Sequence, residues 1–524
     1  MNEEKKTGSY YTPMELIRFM IDYLEKEQQD FSNVLEPSAG DGRFLSLLRS
    51  KAVHIEAIEV FEEKVKQIHQ AYGDSNVEVK KRNFLDYVLE THGKYSLIIG
   101  NPPYINLKTM EKEDIEKAKK MCEQENLPKG TMQNMWLAFV VGATRLVDVN
   151  GTIFLVLPME FLQVQYAEKL RIYLEQKFNT IHIVSFEEEI FPEIEQDVCL
   201  VYLTNKRECP AHILYEIYKG AKDRRPISTN IIKKNKPLQK WSNAILEDDE
   251  ISILKAAKKR YKMVSDMGEV APGIVTGGNK FFILNKNQVD EYECIQYTLP
   301  IVQKSSYISE KTIEIDKKVL NDIRDKEKPF YLLNLAREKE ISKLPKPLQK
   351  YLKRAGEEEV QGVKLKNRFK CANRTPWYGV PIVNRGDIVF FKRYSILPRI
   401  YINKEKVHTT DAGYHIRLKE EFDAQSVVFC FFNSMTLAQC EYNGRYYGGG
   451  VSELVPSEFK ELTIPYRTIA KEDIAKLKRL FKKNVPVNEI VSFVNSRTID
   501  LEFRKGETDK FEEIRLKLIK RRIG

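Results

Sequence analysis

Residues 34–45 read VLEPSAGDGRFL, and this stretch decides the fold that we predict for the first part of the chain. A short apolar strand runs into a turn that contains Gly40 and Gly42, and the turn opens a helix. Glycine at these positions lets the backbone approach a ligand closely, which a Cβ would block. The third glycine of a dinucleotide-binding fingerprint is absent, so a plain tight turn explains the stretch nearly as well.

The stretch is the first of several short apolar runs that alternate with helical spacing over about 205 residues. This alternation predicts an α/β domain over residues 1–210, with a seven-stranded, Rossmann-like, doubly wound sheet. Before the first helical run, Thr12 is predicted as the N-cap and Pro13 as the first helical residue. The predicted strands begin at Val34, Ile55, Val77, Leu97, Ile153, Ile181 and Cys199.

Beyond residue 210 the pattern loosens and charged turns appear, which predicts a connecting segment over residues 211–263. Short strand-like runs with glycine, such as residues 273–284, then predict a second, α+β domain over residues 264–466. Helical spacing returns near residue 470, so residues 467–524 are predicted to be a helical C-terminal segment.

Composition and charge indicate a folded protein with two different surfaces. The chain has 524 residues, of which 42% are hydrophobic and 31% charged. Its formal charge of +10 divides into −9 over residues 1–210 and +19 over residues 211–524. An acidic part joined to a basic part is typical of a catalytic domain beside a polyanion-binding one, although a lysine-rich solvated surface gives the same count.

Several classes of protein are disfavoured by the sequence. It has no apolar run of 18 residues and no signal peptide, which predicts a cytoplasmic protein without a membrane span. Its seven cysteines include no Cys-x-x-Cys pair, and its seven histidines lie far apart, so we expect neither a disulfide framework nor a metal site.

Polar and aromatic residues stand at the ends of the second and third predicted strands. Glu59 ends the second strand, 17 positions after Gly42. A carboxylate there is well placed to accept hydrogen bonds from two ribose hydroxyls. Asn83 and Phe84 follow the third strand, where an amide and an aromatic ring could hold an adenine by its edge and its face. For Phe84, a place in the core is the ordinary alternative.

The tetrapeptide that follows the fourth predicted strand is Asn101-Pro102-Pro103-Tyr104, the most specific signal in the chain. Its two prolines fix the backbone and remove two donors, which leaves rigid carbonyl acceptors. The Asn101 oxygen and the Pro102 carbonyl could both accept from one amino group, while Tyr104 offers a ring to a planar base. A proline-rich turn with a buried tyrosine is the alternative interpretation.

These motifs together resemble one known family. Residues 8–13 (GSYYTP), 36–44, Glu59, 83–84, 101–104 and 190–192 (IFP) occur in the order seen in the gamma-class N6-adenine DNA methyltransferases of bacterial restriction-modification systems. The resemblance is strong over residues 8–205. It continues more weakly through residues 273–284 and 446–456, which are similar to parts of that family's target-recognition domain.

The resemblance implies a class I methyltransferase fold with S-adenosylmethionine as the cofactor. The residues implied to contact the cofactor are Tyr11, Thr12, Pro13, Glu36, Ser38, Ala39, Gly40, Gly42, Glu59, Asn83, Phe84 and Asn101. The implied catalytic residues are Asn101 and Pro102, which accept from the target amine, and Tyr104 and Phe191, which sandwich the flipped base. Glu36 and Asn83 stand where many members of the family have aspartate.

The implied function is transfer of a methyl group to the N6 amino group of an adenine flipped out of double-stranded DNA. The resemblance also implies protection of host DNA and a separately encoded restriction endonuclease as a further partner. A single complete cofactor site beside a single recognition domain predicts a monomer. Four basic residues are predicted to contact DNA: Lys392, Arg393, Arg399 and Arg445. Arg368, Lys370 and Arg374 lie near three of them in sequence, and half or more of such residues would contact only backbone or solvent.

Other activities use a similar pocket. N4-cytosine DNA methyltransferases are chemically close, but more often have serine in place of Asn101. Protein-glutamine and RNA methyltransferases also bind a planar amine at this tetrapeptide, but they are usually shorter and would leave the basic part unexplained. We expect no fused nuclease, because the motifs begin at Gly8 and no carboxylate-lysine nuclease motif follows. A non-catalytic DNA-binding subunit is disfavoured by the intact motifs.

Overall fold

Strands and helices alternate over the first part of the chain, as the sequence predicts, and they build one central sheet. The computed structural model describes residues 11–523, apart from residues 74, 192–196, 206–210, 234–237, 239, 361 and 448–449. The chain divides into two units, which we call the first unit and the second unit. The first comprises Met1–Asp249, Arg445–Gly450 and Lys520–Gly524, and the second comprises Glu250–Gly444 and Val451–Ile519.

The first unit contains the sheet and the helices that cover it. Its elements are α1 (Met14–Lys26), β1 (Asn33–Glu36), α2 (Arg43–Leu48), β2 (His54–Glu59), α3 (Glu62–Tyr72), β3 (Val77–Lys81), α4 (Phe84–Glu90), β4 (Tyr95–Gly100), α5 (Lys112–Gln124), α6 (Met135–Leu146), β5 (Val147–Pro158), α7 (Glu168–Lys177), β6 (Thr180–Phe186), β7 (Val198–Thr204), β8 (His212–Tyr218) and β9 (Ser228–Lys233).

The strand order is β3-β2-β1-β4-β5-β7-β6-β8-β9. Strands β1 to β5 are parallel, whereas β7 runs antiparallel to both β5 and β6. The order reverses between β1 and β4, which are neighbours in the sheet. In open α/β sheets, ligands bind in the crevice at the carboxyl ends of the strands where such a reversal occurs. The fold therefore places the candidate site beyond β1 and β4.

Both faces of the sheet are buried. Alternate strand residues such as Val34, Leu97 and Phe154 pack with α1 and α2 in one apolar cluster. The intervening residues, such as Leu35 and Ile98, point to the opposite face and are also buried. Burial on both faces explains why these strands read as continuous apolar runs rather than as alternating ones.

The sheet corrects two expectations. The predicted seven strands are present, but β8 and β9 extend the sheet to nine strands among the described residues. These two strands lie in the segment predicted as a linker, so the boundary predicted at residue 210 is wrong. Strand β8 pairs with β6 and buries Ile213, Tyr215 and Ile217, which requires it to be part of the first unit.

The second unit has several small sheets rather than one large one. Its elements are α8 (Asp248–Lys258), β10 (Lys262–Met263), α9 (Val264–Met267), β11 (Gly268–Pro272), α10 (Asn279–Phe282), β12 (Ile283–Leu284), α11 (Lys286–Glu291), β13 (Thr298–Val302), β14 (Glu314–Ile315), α12 (Lys317–Asp325), β15 (Tyr331–Leu333), α13 (Lys346–Glu357), β16 (Glu359–Val360), β17 (Val363–Lys364), α14 (Phe369–Ala372), β18 (Ile388–Phe391), β19 (Arg393–Tyr394), β20 (Arg399–Asn403), β21 (His408–Thr409), β22 (Gly413–Leu418), α15 (Ala424–Phe431), α16 (Ser434–Asn443), β23 (Arg445–Tyr447), β24 (Val451–Glu453), α17 (Pro456–Lys460), β25 (Thr463–Ile464), α18 (Lys471–Lys483), α19 (Val487–Asn495) and α20 (Lys505–Ile523), of which β23 and the end of α20 group with the first unit.

Strands and helices of the second unit share their cores, as an α+β unit requires. Its five-stranded sheet has the order β11-β22-β18-β20-β14. Apolar residues of α18 and α19, such as Leu477 and Ile490, pack in the same cluster as Phe390 of β18. The sequence analysis predicted residues 467–524 as a separate helical segment. This prediction is wrong, because these helices share a core with residues 264–466.

Helix α1 begins at Met14 with Pro13 as its N-cap, one residue later than predicted. The Pro13 carbonyl accepts the first helical hydrogen bonds, from Leu16 and Ile17. Within the part of the chain that the structure describes, no helix combines the length and the apolar character needed to cross a membrane.

Candidate active site

The loops that follow β1 and β4 meet at the switch point of the sheet. The Ser38 hydroxyl donates to the Asn101 backbone carbonyl at 3.0 Å. Gly100 lies so close to Pro37 that a Cβ on the glycine would stand 3.3 Å from the proline Cδ. Two segments that are 63 residues apart in sequence are thus held together at one edge of the sheet.

The glycine turn needs its two glycines because of backbone conformation. Gly40 has φ +59° and Gly42 has φ +80°. Residues with a Cβ rarely adopt this positive-φ backbone conformation. A Cβ on Gly42 would also stand 3.3 Å from side-chain atoms of Ile68 and Tyr72, whereas Gly40 has open space. Gly42 is the N-cap of α2, and its backbone nitrogen donates to the Ala39 carbonyl at 2.9 Å.

Glu59 fixes this turn from the neighbouring strand. Its carboxylate accepts from the backbone of Gly40 at 2.8 Å and from those of Val60 and Phe61 at 2.9 Å. The side chain is buried, and it lies at the carboxyl end of β2 as the sequence analysis expected. Glu59 and the glycine turn are therefore brought together in the structure.

Glu36, at the end of β1, is the most unusual group of the site. It is 1% exposed, and its Oε2 has no hydrogen-bond partner among the described residues. Burial, together with the nearby charges of Glu59 and Asp41, raises the pKa of this carboxyl well above its usual range. A cation placed against Glu36 would offset both effects and favour the ionised form.

The segment before α1 reaches the same edge. The Asn101 side-chain nitrogen donates to the Thr12 hydroxyl at 3.1 Å, and Arg43 donates to the Thr12 carbonyl at 3.3 Å. The Arg43 guanidinium also lies 5.0 Å from the centre of the Tyr11 ring, and Lys64 Nζ lies 5.4 Å from it. Residues 8–10 of the motif lie outside the described residues.

Asn83 and Phe84 have clear roles in the folded chain. Asn83 caps α4, because its side-chain oxygen accepts from the Leu85 backbone at 2.8 Å and its nitrogen donates to Asp114 at 2.8 Å. Phe84 is buried, and its ring stacks on Phe139 with 4.5 Å between centroids. Phe84 is thus a core residue, the ordinary alternative of the sequence analysis. Contact of either residue with a cofactor stays a prediction.

The tetrapeptide after β4 presents its polar groups on a rigid backbone. Pro102 is buried, and the Tyr104 hydroxyl donates to the Val156 carbonyl of β5 at 3.2 Å. Burial raises the pKa of Tyr104 well above its usual range. Tyr104 packs against the apolar cluster that contains Phe191, while Pro192 of the same motif lies outside the described residues. The structure therefore brings both aromatic residues to one region.

One buried contact of the first unit escaped the sequence analysis. The Gln163 side chain donates to the Tyr446 carbonyl at 2.6 Å and accepts from the Tyr446 backbone nitrogen at 3.0 Å. The Tyr446 hydroxyl lies 3.6 Å from the Met159 sulfur, just after β5, and Arg521 lies 4.6 Å from the tyrosine ring. Residues 445–447 were singled out only as a possible DNA-contacting segment, and no sequence pattern links residues 163 and 446.

Three of the four predicted DNA-contacting residues form ion pairs with carboxylates of the second unit. Lys392 and Arg393 both pair with the Glu453 carboxylate, at 3.7 and 2.8 Å. Arg399 pairs with Glu310. Arg445 belongs to the first unit.

The neighbouring sequence features also have structural roles. Phe390 and Phe391, the aromatic residues interleaved with these cations, are core residues. Gly448 and Gly449 lie outside the described residues.

One imidazole and two carboxylates also lie close together away from this edge. Ligand atoms of His54, Glu56 and Glu78 lie within 4.8 Å of one another, beginning at the amino end of β2. Lys80 Nζ lies 2.6 Å from Glu56, so a cation of the protein already neutralises the buried carboxylate. This group is remote from the loops that follow β1 and β4 in the sheet.

Comparison with protein families divides the chain in the same way. The family described as "Eco57I restriction-modification methylase" matches residues 26–191, which contain Glu36, Glu59 and the tetrapeptide. The family described as "Type II methyltransferase M.Eco57I, C-terminal domain" matches residues 238–499, half of the chain.

Individual relatives agree with these families. The chain is 23% identical to the type II methyltransferase M.AccI of Acinetobacter calcoaceticus, over 98% of this chain and 95% of the relative. It is 21% identical to M.BstVI of Geobacillus stearothermophilus, over 60% of this chain and 66% of that protein.

A solved structure supports the fold. The type IIL restriction-modification enzyme MmeI in complex with DNA matches 99% of this chain and 80% of its own, with a TM-score of 0.63 and 13% identity. At this identity the likeness concerns the fold alone. The family predicted from the motifs is confirmed: the chain belongs to the Eco57I family of type II restriction-modification methyltransferases.

Proposed function

We propose that this protein transfers a methyl group from S-adenosylmethionine to the N6 amino group of a flipped-out adenine in double-stranded DNA, and so protects host DNA in a restriction-modification system. One observation carries the proposal. In a chain of this family, Glu36, the glycine turn and Asn101 converge on the switch point of the sheet.

The residues at this edge fit S-adenosylmethionine. When bound, this cofactor supplies an electrophilic methyl group on a positively charged sulfur. The buried Glu36 carboxylate, whose Oε2 has no hydrogen-bond partner among the described residues, suits a cationic ligand. The turn through Gly40 and Gly42 would bound the same ligand. Glu59 would accept hydrogen bonds from the ribose hydroxyls of the cofactor, in place of some of the backbone N–H groups that it now binds.

The tetrapeptide suits the amine of a planar base. Asn101 donates through its side-chain nitrogen to Thr12, which orients the amide and turns its oxygen to the acceptor role. This oxygen and the Pro102 carbonyl would accept from the two N–H groups of the amine and hold its lone pair toward the methyl group. They would also stabilise the positive charge that develops on the nitrogen before it loses a proton.

Aromatic residues would hold the base after it leaves the duplex. Unstacking and unpairing one base costs about a few kcal/mol. Stacking on Tyr104 and Phe191 would return about 1–3 kcal/mol per base. The hydrogen bond from Tyr104 to the Val156 carbonyl holds the ring in a fixed orientation, so little further ordering is needed when the base enters.

Charge and relatives support DNA as the substrate. Residues 211–524 have a net charge of +19, which suits binding to a polyanion. The structural relative MmeI is described in complex with DNA. We propose that the enzyme acts as a monomer, since the candidate cofactor and amine sites lie in one unit, and that a cognate endonuclease is encoded separately.

Sequencing of DNA from a bacterial host without its own adenine methylation, transformed to express this protein, tests the proposal. We expect N6-methyladenine at one short sequence motif, and none when the host expresses Asn101→Ala. Methylation at cytosine N4 would support the proposed amine pocket but contradict adenine as the target base. Unmodified DNA, with a methylated RNA or glutamine side chain instead, would contradict the proposal.

A further inference from the structure

An aromatic ring stands almost fully exposed in the second unit. Phe369 exposes 76% of its surface, whereas the neighbouring Cys371 on the same short helix is fully buried. Phe369 opens α14, whose residues include the exposed Lys370. Single exposed apolar side chains are common on protein surfaces, so the surroundings of Phe369 decide whether it marks an interaction site.

The helix that carries Phe369 is held firmly against a glycine loop. A Cβ on Gly277 would stand 3.0 Å from the Lys370 Cβ and 3.2 Å from the Cys371 sulfur, so a larger residue would force these neighbours to shift. Gly277 also has φ +83°. On the other side, the Asn373 side chain donates to the Phe369 carbonyl at 2.7 Å. The backbone of Phe369 is therefore fixed while its ring remains outside.

Two arginines join α14 to the same loop. Arg368 donates to the Gly277 carbonyl at 2.8 Å. Arg374 donates to the Thr276 carbonyl at 2.6 Å and to the Val275 carbonyl at 2.7 Å. Segments about 100 residues apart thus form one element, which we call the Phe369 mount (residues 275–277 and 368–374).

The charge around the mount favours a polyanion. Residues 362–375 contain five cations (Lys364, Lys366, Arg368, Lys370 and Arg374) and no aspartate or glutamate. Glu357 pairs with Lys364 and Lys366 and offsets only one of the five positive charges, so the stretch remains positive. Besides Phe369, the large apolar residues described as exposed in the mount and in residues 362–375 are Val275, at 38%, and Val363, at 44%. The apolar area is therefore small for a protein interface, whereas one ring amid cations suits nucleic acid.

We infer that Phe369 is a wedge that inserts between neighbouring base pairs of the DNA, while the cations of its mount hold the phosphates. Apolar wedges of this kind partly unstack a base step and deform the duplex. A rigid mount favours insertion because the backbone that carries the ring is already ordered, so less conformational entropy is lost on binding. This inference rests on the proposed function, since it assumes that the second unit meets double-stranded DNA.

Binding of the full-length protein to sheared, unmethylated bacterial DNA tests the wedge. Phe369→Ala should weaken DNA binding about tenfold, because a stacked base contact is lost. Phe369→Leu should fall between Phe369→Ala and the wild type. Ile295→Ala, which removes another exposed apolar side chain of the second unit, should leave binding unchanged. Binding to heparin, a polyanion without bases, should be equal for Phe369→Ala and the wild type.

A tryptophan reporter gives a second readout. We expect DNA to quench the fluorescence of Phe369→Trp, through stacking on bases, and to leave that of Ile295→Trp unchanged. Unchanged DNA affinity in Phe369→Ala, equal losses for DNA and heparin, or absence of quenching would each overturn the wedge. If the wild type methylates DNA and Phe369→Ala is unaffected, the wedge alone fails. If the wild type neither binds nor methylates DNA, the proposed function fails.

Discussion

The two units of the chain use their charged residues in opposite ways. In the first unit, Glu36 is buried at a strand end, with an Oε2 that has no hydrogen-bond partner among the described residues. In the second unit, Lys392 and Arg393, which were predicted to contact DNA, both pair with Glu453. Catalysis requires polar groups held in fixed positions despite the cost of burial, whereas a recognition surface can keep its cations neutralised until DNA arrives. Motifs therefore locate the first kind of site better than the second.

The largest effect is expected from Asn101→Ala, which removes the acceptor that we propose for the reacting amine. Methyl transfer should fall by about 100-fold or more, the usual loss when one oriented electrostatic contact disappears. Binding of S-adenosylmethionine, measured by calorimetry, should weaken less than about tenfold, because Glu36 and the glycine turn remain. Asn287→Ala, in the second unit, is the control and should transfer at the wild-type rate. Near-normal transfer by Asn101→Ala would remove the distinction between the two units.

Glu36→Gln tests whether the buried carboxylate exists for a ligand. Because its pKa is raised in the folded state, ionising it costs stability, and the wild type without ligand should become less stable as pH rises above the usual glutamate pKa of about 4.3. The variant lacks this loss, so its Tm should exceed that of the wild type by a few degrees at pH 7 to 8.

Bound S-adenosylmethionine should make the wild type more stable than Glu36→Gln. S-adenosylmethionine should raise the Tm of the wild type far more than that of Glu36→Gln, because the cation has lost its partner. Thermal melts over a pH series, with and without ligand, measure both effects. The exposed Glu63→Gln serves as control. Identical pH dependence and identical ligand shifts in Glu36→Gln and the wild type would show that Glu36 has no such role.

A matched pair of buried glutamines sharpens the comparison. Gln163 bonds both backbone groups of Tyr446 in the first unit, and Gln439 bonds the backbone and hydroxyl of Thr463 in the second. Substitution of either residue by alanine should cost about 2 kcal/mol of unfolding free energy, because buried polar groups lose their partners.

Only the first substitution should also impair catalysis. Tyr446 contacts Met159, which directly follows the strand whose Val156 carbonyl holds the Tyr104 hydroxyl. Gln163→Ala should therefore lower the rate of methyl transfer about tenfold at a temperature where the protein is folded. Gln439→Ala should leave that rate unchanged. Equal losses in both variants would mean that stability alone is responsible.

The smallest effect is expected from Arg393→Ala. If this cation exchanges Glu453 for a phosphate, its removal should reduce the slope of log affinity against log salt by about 0.9. Affinity should weaken only a few-fold at low salt, because one contact among many is lost. Titration of DNA at several salt concentrations measures both quantities. An unchanged slope would leave Arg393 as a structural partner of Glu453 alone.

Much of the first unit could be predicted because local signals and tertiary structure agree. Strand starts at residues 33, 54, 77, 180 and 198 fall within one residue of those predicted. Strand β8 was missed because Glu216 interrupts its apolar pattern. In the fold, Glu216 is buried and accepts from the Tyr23 hydroxyl at 2.9 Å. A partner 193 residues away makes this burial possible, and no local pattern reveals it.

The limits of prediction at the site have the same physical cause. Asn83 and Phe84 stand where the motif places them, but Asp114 and Phe139 engage them through long-range contacts. In the second unit, the FFKRY sequence at residues 390–394 suggested a DNA-binding stripe. In the fold, both faces of β18 are covered, so Phe390 and Phe391 are buried in two different apolar clusters. Spacing identifies residues that can do chemistry, and tertiary partners decide which of them are engaged elsewhere.

One measurement tests the central claim most directly. Purified protein is incubated with unmethylated bacterial DNA and S-adenosylmethionine labelled in its methyl group, and the DNA is digested to nucleosides that are identified by mass. We expect the label in N6-methyl-2′-deoxyadenosine, and we expect no label there with Asn101→Ala. Label in N4-methylcytosine, or no label in DNA while the protein binds the cofactor, would contradict the assignment of this edge of the sheet to adenine methylation.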